Sequence, residues 1–321
     1  MTIDRWVHQP YLDDTFPLAL DSPFTLQDAR RAGVPRHWLT LLTASGQLRH
    51  PIKGCYVPAQ VRDDVLSRAA CLRLVAPEDA VVVDRHAGWL LGADMLLQPN
   101  EHLEVLPVTM FLPAGRGRLR NGLSESGERS LLDRDIVEVH GLRVTTALRT
   151  ALDLGRQRWP EPALTALDAL HRLGHFSVDE LVLEIDRFKR ARWVTTLRLV
   201  APHTDGRSQS GGETVIRWRW KHLPIPPPQP QVEVRTGRRL AFVDVGNAEM
   251  RAGVEFNGVE WHDDPASRAR DADRAGWLDE DAGWSLDWLV SQDVYGREAR
   301  VEEVIMSVHR RALARARRRT T

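Results

Sequence analysis

The spacing of apolar residues changes rhythm along the chain, and each change predicts an element. Near the start, a helix is predicted over 26–32, N-capped by Thr25 and stopped by Gly33. A second helix begins at Val34-Pro35, carries Trp38, Leu39, Leu41 and Leu42 at helical spacing, and ends at Gly46. The segment "QLRHPIKGCYV" then predicts two short strands around a Pro-Ile-Lys-Gly turn. Between 64 and 200 the pattern is mixed. "DVLSRAACLRLVAP" reads as a helix and "AVVVDRHAGWLLGADML" as a strand turning into a helix. "EHLEVLPVTMFLP" and "DIVEVHGLRVTT" predict strands; "ALRTALDLGRQ", "EPALTALDALHRLG" and "SVDELVLEIDRF" predict helices.

The polar, Gly- and Ser-containing stretch 201–212 predicts a linker. After it come a helix over 212–222, beginning near Glu213, and three antiparallel strands, "QVEVR", "RLAFVDV" and "AGVEFNG". Turns at Thr236-Gly237-Arg238 and "GNAEMR" join them. A helix in "DPASRARDADRAGWLDEDAG" and a last strand in "WSLDWLVSQDV" follow. The short run "PIPPPQP", 224–230, predicts a rigid connector more than a polyproline ligand.

With 321 residues the chain exceeds one ordinary domain of about 150 residues. The elements divide it into 1–63, 64–200, the linker 201–212 and 213–321, a multidomain protein of the mixed α/β (α+β) class. A hydrophobic fraction of 42% and a charged fraction of 27% are those of a globular protein with a sizeable core. Two cysteines, Cys55 and Cys71, exclude a disulfide framework or a Cys-rich zinc site and fit a reducing cytoplasm. The N-terminus lacks the pattern of a signal peptide, and no run approaches about 18 apolar residues, so no membrane partner is expected.

Formal net charge is zero, but the C-terminal "HRRALARARRRTT" carries six arginines, Arg310, Arg311, Arg315, Arg317, Arg318 and Arg319, and no acid. Such a run suits either phosphate backbones or a solvated helix end. Asp168 and His171 lie three apart on a predicted helix; surface polar positions are the expectation there, ahead of a metal pair. His86 is expected to be a helix-start residue.

The carboxylates of the last segment carry more. Strand periodicity puts Leu240, Phe242 and Asp244 on one face, and Glu255 with Asn257 opposite Val254 and Phe256. A turn between strands can set Asp244 beside Glu255, and two adjacent carboxylates repel unless a cation lies between them. Mg²⁺ (or Mn²⁺), a hard ion with oxygen ligands, is the expected cofactor. Ordinary solvent-side strand residues would be the alternative for one such pair taken alone.

Two resemblances extend this reading. The helix, tight turn, helix and hairpin of residues 22–58 resemble the winged helix-turn-helix of AbiEi-type antitoxins, DNA-binding repressors of toxin–antitoxin systems, and "GLRVTTALRTALDL" resembles their middle region, a scaffold. The resemblance implies that Arg36 and His37 open a helix entering the major groove and that Lys53 lies in the wing beside a phosphate. Residues 206–300, with Asp244, Gly258, Trp261, His262, Asp273, Arg274, Gly283 and Trp284 in order, resemble the very short patch repair endonucleases of the PD-(D/E)XK superfamily. That implies a restriction-endonuclease-like mixed sheet flanked by helices. Asp244 would be the central metal ligand, Glu255 the second carboxylate, Glu213 a helical acid in a supporting or second-metal role, and His262 a base or water-orienting group. Two features depart from the pattern. Asn257 stands where the motif has Lys, and the family's zinc ligands are missing.

The expectation is therefore a Mg²⁺-dependent DNA endonuclease. An antitoxin-like DNA-binding regulator with an inactive nuclease-fold domain is the alternative, and a protein-interaction scaffold is a third. DNA is the expected partner of the first two, through Arg36, His37, Lys53, Arg310 and Arg311, and a homodimer is one assembly the chain allows.

Overall fold

The structure, a computed structural model, describes residues 3–93, 108–112, 124–125, 129–257 and 265–320. The fold is mixed α/β, with three sheets among the described residues. The chain forms two compact units: Met1–Met95 with Asn100–Leu154, and Leu96–Pro99 with Gly155–Thr321.

In the first unit, α1 (Asp4–Val7) precedes β1 (Phe24–Thr25), α2 (Leu26–Arg31), α3 (Arg36–Ala44), β2 (Leu48–Ile52) and β3 (Cys55–Pro58). The strands form a sheet of order β1-β3-β2. Thr25 caps α2 as expected: its Oγ1 accepts from the Asp28 amide at 3.1 Å, and the Asp28 carboxylate accepts from the Thr25 amide at 2.9 Å. Leu39 and Leu42 of α3 are buried, in one core with Trp6, Phe16, Phe24 and Leu48. Leu41, expected in that stripe, is exposed, because a residue two positions from Leu39 falls on the far side of a helix.

The rest of this unit is α4 (Val65–Arg73), β4 (Val81–Val82), α5 (Asp84–Leu91), β5 (Val108–Phe111), β6 (Ser124–Glu125), β7 (Ile136–Val139), β8 (Leu142–Thr145) and α6 (Ala147–Leu154). Its strands order as β6-β5-β4-β8-β7. An ion network runs through it. Arg149 donates to Asp135 at 2.6 Å and to Asp153 at 2.9 Å, and Arg129 bridges Asp153 and Asp84 at 2.8 and 2.7 Å. His86 lies in the first turns of α5 but is buried; its Nδ1 accepts from the Thr109 amide, and burial lowers its pKa to about 4.

The second unit begins with α7 (Pro160–His171), α8 (Val178–Glu184), α9 (Val194–Val200) and α10 (Gly211–Lys221). It continues with β9 (Gln229–Thr236), β10 (Arg239–Asn247), β11 (Ala252–Asn257), α11 (Pro265–Glu280), β12 (Ser285–Val290), α12 (Ser291–Val294) and α13 (Val301–Thr320). The sheet order is β12-β11-β10-β9. β9, β10 and β11 are antiparallel, and β12 returns parallel to β11 after α11. One face packs on α10 and α13 through Val215, Ile216, Trp220, Ile305 and Val308; the other packs on Trp277, Leu278 and Trp284. In "PIPPPQP", the carbonyls of Pro226 and Pro227 accept from the Trp220 indole and the Asn247 amide, which tie down the approach to β9.

Two expectations fail here for one reason. The stretch 201–212 is not a linker, and the units divide between Leu154 and Gly155. Its polar groups bind α7. Asp168 is fully buried, accepting from the Asp205 amide at 2.8 Å, the Thr214 hydroxyl at 2.7 Å and the Arg217 guanidinium at 2.6 Å. His171 Nδ1 accepts from the Gly206 amide at 3.1 Å, where a Cβ on Gly206 would meet that nitrogen at 2.8 Å. Asp168 is thus an internal anchor and His171 a half-buried one, each engaged with the backbone of 201–212. Burial raises the Asp168 pKa against the pull of Arg217. Removing one partner of such a pair leaves a buried charge alone, so Asp168→Ala should cost about 3–5 kcal/mol. Urea unfolding followed by tryptophan fluorescence measures it.

Candidate functional site

The expected catalytic residues that fall within the described structure gather at one end of the second unit's sheet. Their placement starts with an irregularity in β10. Val243 packs with Trp277 and Trp284 on one face, whereas Val245 packs with Val215 and Trp220 on the other. Residues two apart share a face in a regular strand, so β10 turns over between them, at Asp244. The facing residue on β9, Gln231, has φ +50°, a left-handed backbone uncommon outside Gly, Asn and Asp. Asp244 is half-buried and belongs to neither core.

From this break the Asp244 carboxylate reaches two neighbours. Its Oδ2 accepts from the Phe256 amide of β11 at 2.9 Å, and its Oδ1 from the Gln231 side chain at 3.3 Å. The same Gln231 amide donates to Glu213 Oε2 at 3.0 Å. Glu213 comes from the first turn of α10, whose N-cap, Ser210, accepts from the Glu213 amide at 3.2 Å. Its carboxylate also accepts from the Gln209 amide at 2.8 Å and the Ser210 hydroxyl at 3.0 Å. Gly212 permits this approach, since a Cβ there would run into the Phe256 ring.

Glu255 follows on β11, buried, with Trp288 alongside it on the parallel β12. Arg274 of α11 grips both its oxygens, Nη1 to Oε2 at 2.6 Å and Nη2 to Oε1 at 2.7 Å. Asn257, the last residue of β11, is half-buried, while Gly258, Trp261 and His262 lie outside the described residues.

The three carboxylates interact. Burial pushes the Glu213 carboxyl above the ordinary glutamate range; the Gln209 amide pulls it back and the charge of Asp244 pushes it up again. Burial likewise raises Glu255, with Arg274 opposing and Asp244 adding to the shift. Asp244 is thus the shared source of repulsion. Hard carboxylate oxygens are the donor chemistry of Mg²⁺ or Mn²⁺, so Asp244 and Glu255 are the residues that could hold such an ion, Glu255 only once Arg274 releases its oxygens. Among the described residues no group of three or more His, Cys, Asp and Glu is placed to hold a metal ion. An ion held here would therefore keep water or phosphate in its other positions, as Mg²⁺ commonly does.

Other expected contacts lie elsewhere. Arg36 and His37 are exposed at the start of α3, and Lys53 is exposed in the β2–β3 turn, all in the first unit. Arg310 of α13 is exposed, but Arg311 donates to the Leu286 carbonyl at 2.7 Å and pairs with Asp287 at 3.3 Å. Arg315, one turn on, donates to the Trp284 carbonyl at 2.8 Å, and Arg319 follows at the Gly283 carbonyl. Much of the basic run thus clasps its own fold. Gln231 was not anticipated; only its place across the hairpin from Asp244 could have pointed to it.

Protonation of the raised carboxyls favours the folded state, and that contribution is lost as pH rises through their elevated values. Asp244→Asn removes the common repulsion. Its melting temperature relative to wild type should therefore climb as pH rises from the ordinary glutamate range toward neutrality. Thermal melts across that range measure the difference, and a flat difference would contradict the coupling.

No protein-family model matches the chain. It is 28% identical over 260 residues to the uncharacterized protein Rv2248 of Mycobacterium tuberculosis strain H37Rv, covering 81% of this chain and 91% of that protein. The uncharacterized protein MT2308 of strain CDC 1551 matches with the same identity and coverage. Neither name states an activity, and no helix among the described residues is long and apolar enough to cross a membrane.

Proposed function

We propose that the second unit is a PD-(D/E)XK-type endonuclease domain hydrolysing DNA phosphodiesters with Mg²⁺ or Mn²⁺. The observation that carries this reading is Asp244, set at a strand break between the acid of α10 and the acid of β11, each of which its charge perturbs. A divalent ion on Asp244 and Glu255 would supply charge neutralisation at the phosphoryl group and a more acidic water. The chain's own residues do the positioning. The Phe256 amide and Gln231 hold the Asp244 carboxylate in place, and Gln209 and Ser210 fix Glu213 behind it. Asn257 can hydrogen-bond a water but cannot be a base; the resemblance to the repair endonucleases would give proton transfer to His262.

A second reading has its own support. Glu255 is already neutralised by Arg274, and position 257 lacks the motif's Lys, as expected of a nuclease fold that only binds. In that case the first unit would act as a winged helix-turn-helix repressor module, with Arg36, His37 and Lys53 on the DNA. Both readings place the DNA-contacting helix at α3, whose N-terminus has exposed basic residues and no acid in its first turn.

Two measurements separate them. Incubated with supercoiled plasmid and Mn²⁺, wild type should nick and Asp244→Ala should not; equal activity of the two, or none in either, removes the enzyme reading. Arg36→Ala with Lys53→Ala should weaken DNA binding by the full chain. The slope of log affinity against log salt should fall by about 0.9 for each phosphate that is no longer neutralised. An unchanged slope would take these residues off the interface.

A further inference from the structure

Arg274 combines three properties that belong together. Its fork on Glu255 is the bidentate geometry in which a guanidinium binds either a carboxylate or a phosphate. Its Nη2 also donates to the Phe242 carbonyl at 2.7 Å, which locates it at the edge of β10, next to the break at Asp244. Its side chain is 37% exposed, whereas that of Glu255 is 7% exposed, so the pair joins a solvent-accessible cation to a buried acid. Arginine does not lose its proton, so this charge cannot be titrated away. A divalent ion could take Glu255 only against a fixed positive charge lying on the same two oxygens. Meanwhile β11 offers no cation of its own, because position 257 is Asn.

We infer that Arg274 is a cation shared between Glu255 and the substrate: in the ligand-free protein it occupies Glu255, and an incoming phosphodiester draws the guanidinium to itself and opens Glu255 to the divalent ion. This rests on the carboxylate site proposed above. Metal and nucleic acid then bind with positive coupling, and by linkage each raises the affinity of the other by the same factor. No bond is made or broken in the exchange; one oxyanion replaces another on the guanidinium.

Calorimetric titration of the full-length protein with Mn²⁺, with and without a short DNA duplex, tests it, after subtracting uptake by the duplex alone. Wild type should bind Mn²⁺ more tightly when the duplex is present. Arg274→Gln should bind Mn²⁺ about tenfold more tightly than wild type without DNA, as for removal of a charge directly beside the site, and should no longer respond to the duplex. Arg274→Lys, which keeps the charge but not the fork, should fall between, and near-UV circular dichroism from Trp277 and Trp284 reports whether each variant is folded. Glu255→Gln should abolish the difference. If wild type and folded Arg274 variants bind Mn²⁺ equally and Glu255→Gln weakens all of them, the shared-cation inference is overturned while the metal site stands. If no form binds Mn²⁺, both are overturned.

Discussion

Strand β10 turns over at Asp244, and the layering of the second unit depends on that reversal. Had the strand kept a period of two, Val243 and Val245 would lie under the same helices. Instead the hairpin end of β10 is covered by α11, and its far end by α10 and α13. A side chain at the point of reversal lies in neither hydrocarbon layer. That is where a carboxylate can stay partly solvated while touching buried neighbours, avoiding much of the cost of burying an isolated charge. The left-handed Gln231 opposite the break is the local strain that accompanies it, and its amide then ties Asp244 to Glu213.

The same electrostatic device recurs through the molecule. Buried acids are matched by arginines reaching from other elements: Asp168 by Arg217, Asp135 and Asp153 by Arg149, and Glu255 by Arg274. Arg311, Arg315 and Arg319, one face of α13, satisfy carbonyls at the ends of neighbouring elements. Equal numbers of acids and bases therefore do not describe a neutral, mixed surface. Arg149 and Arg217 are internal, where the guanidinium fork gives geometry as well as charge. What distinguishes the Asp244 site is that, among the described residues, Asp244 accepts from a side-chain amide and a backbone N–H, while its charge acts on two further carboxylates.

Much of the architecture was legible along the chain, because it is decided by neighbours. Thr25 caps α2 through a residue three positions away; the β9–β10 hairpin follows from alternation and a Gly turn; Glu255 and Asn257 fall opposite Val254 and Phe256 because strand period is two. The pairing of Asp244 with the β11 end follows from the same rule. Tertiary structure decided the rest. Residues 201–212 have the composition of a linker, yet their amides close onto Asp168 and His171, more than thirty positions back. Arg274 meets Glu255 only once α11 crosses the sheet, and Gln231 meets Glu213 only once α10 lies against Phe256. Local hydrogen bonds and side-chain periodicity act over a few residues and so can be read in order. Whether a buried charge finds its partner depends on how separate elements pack, which no local pattern encodes.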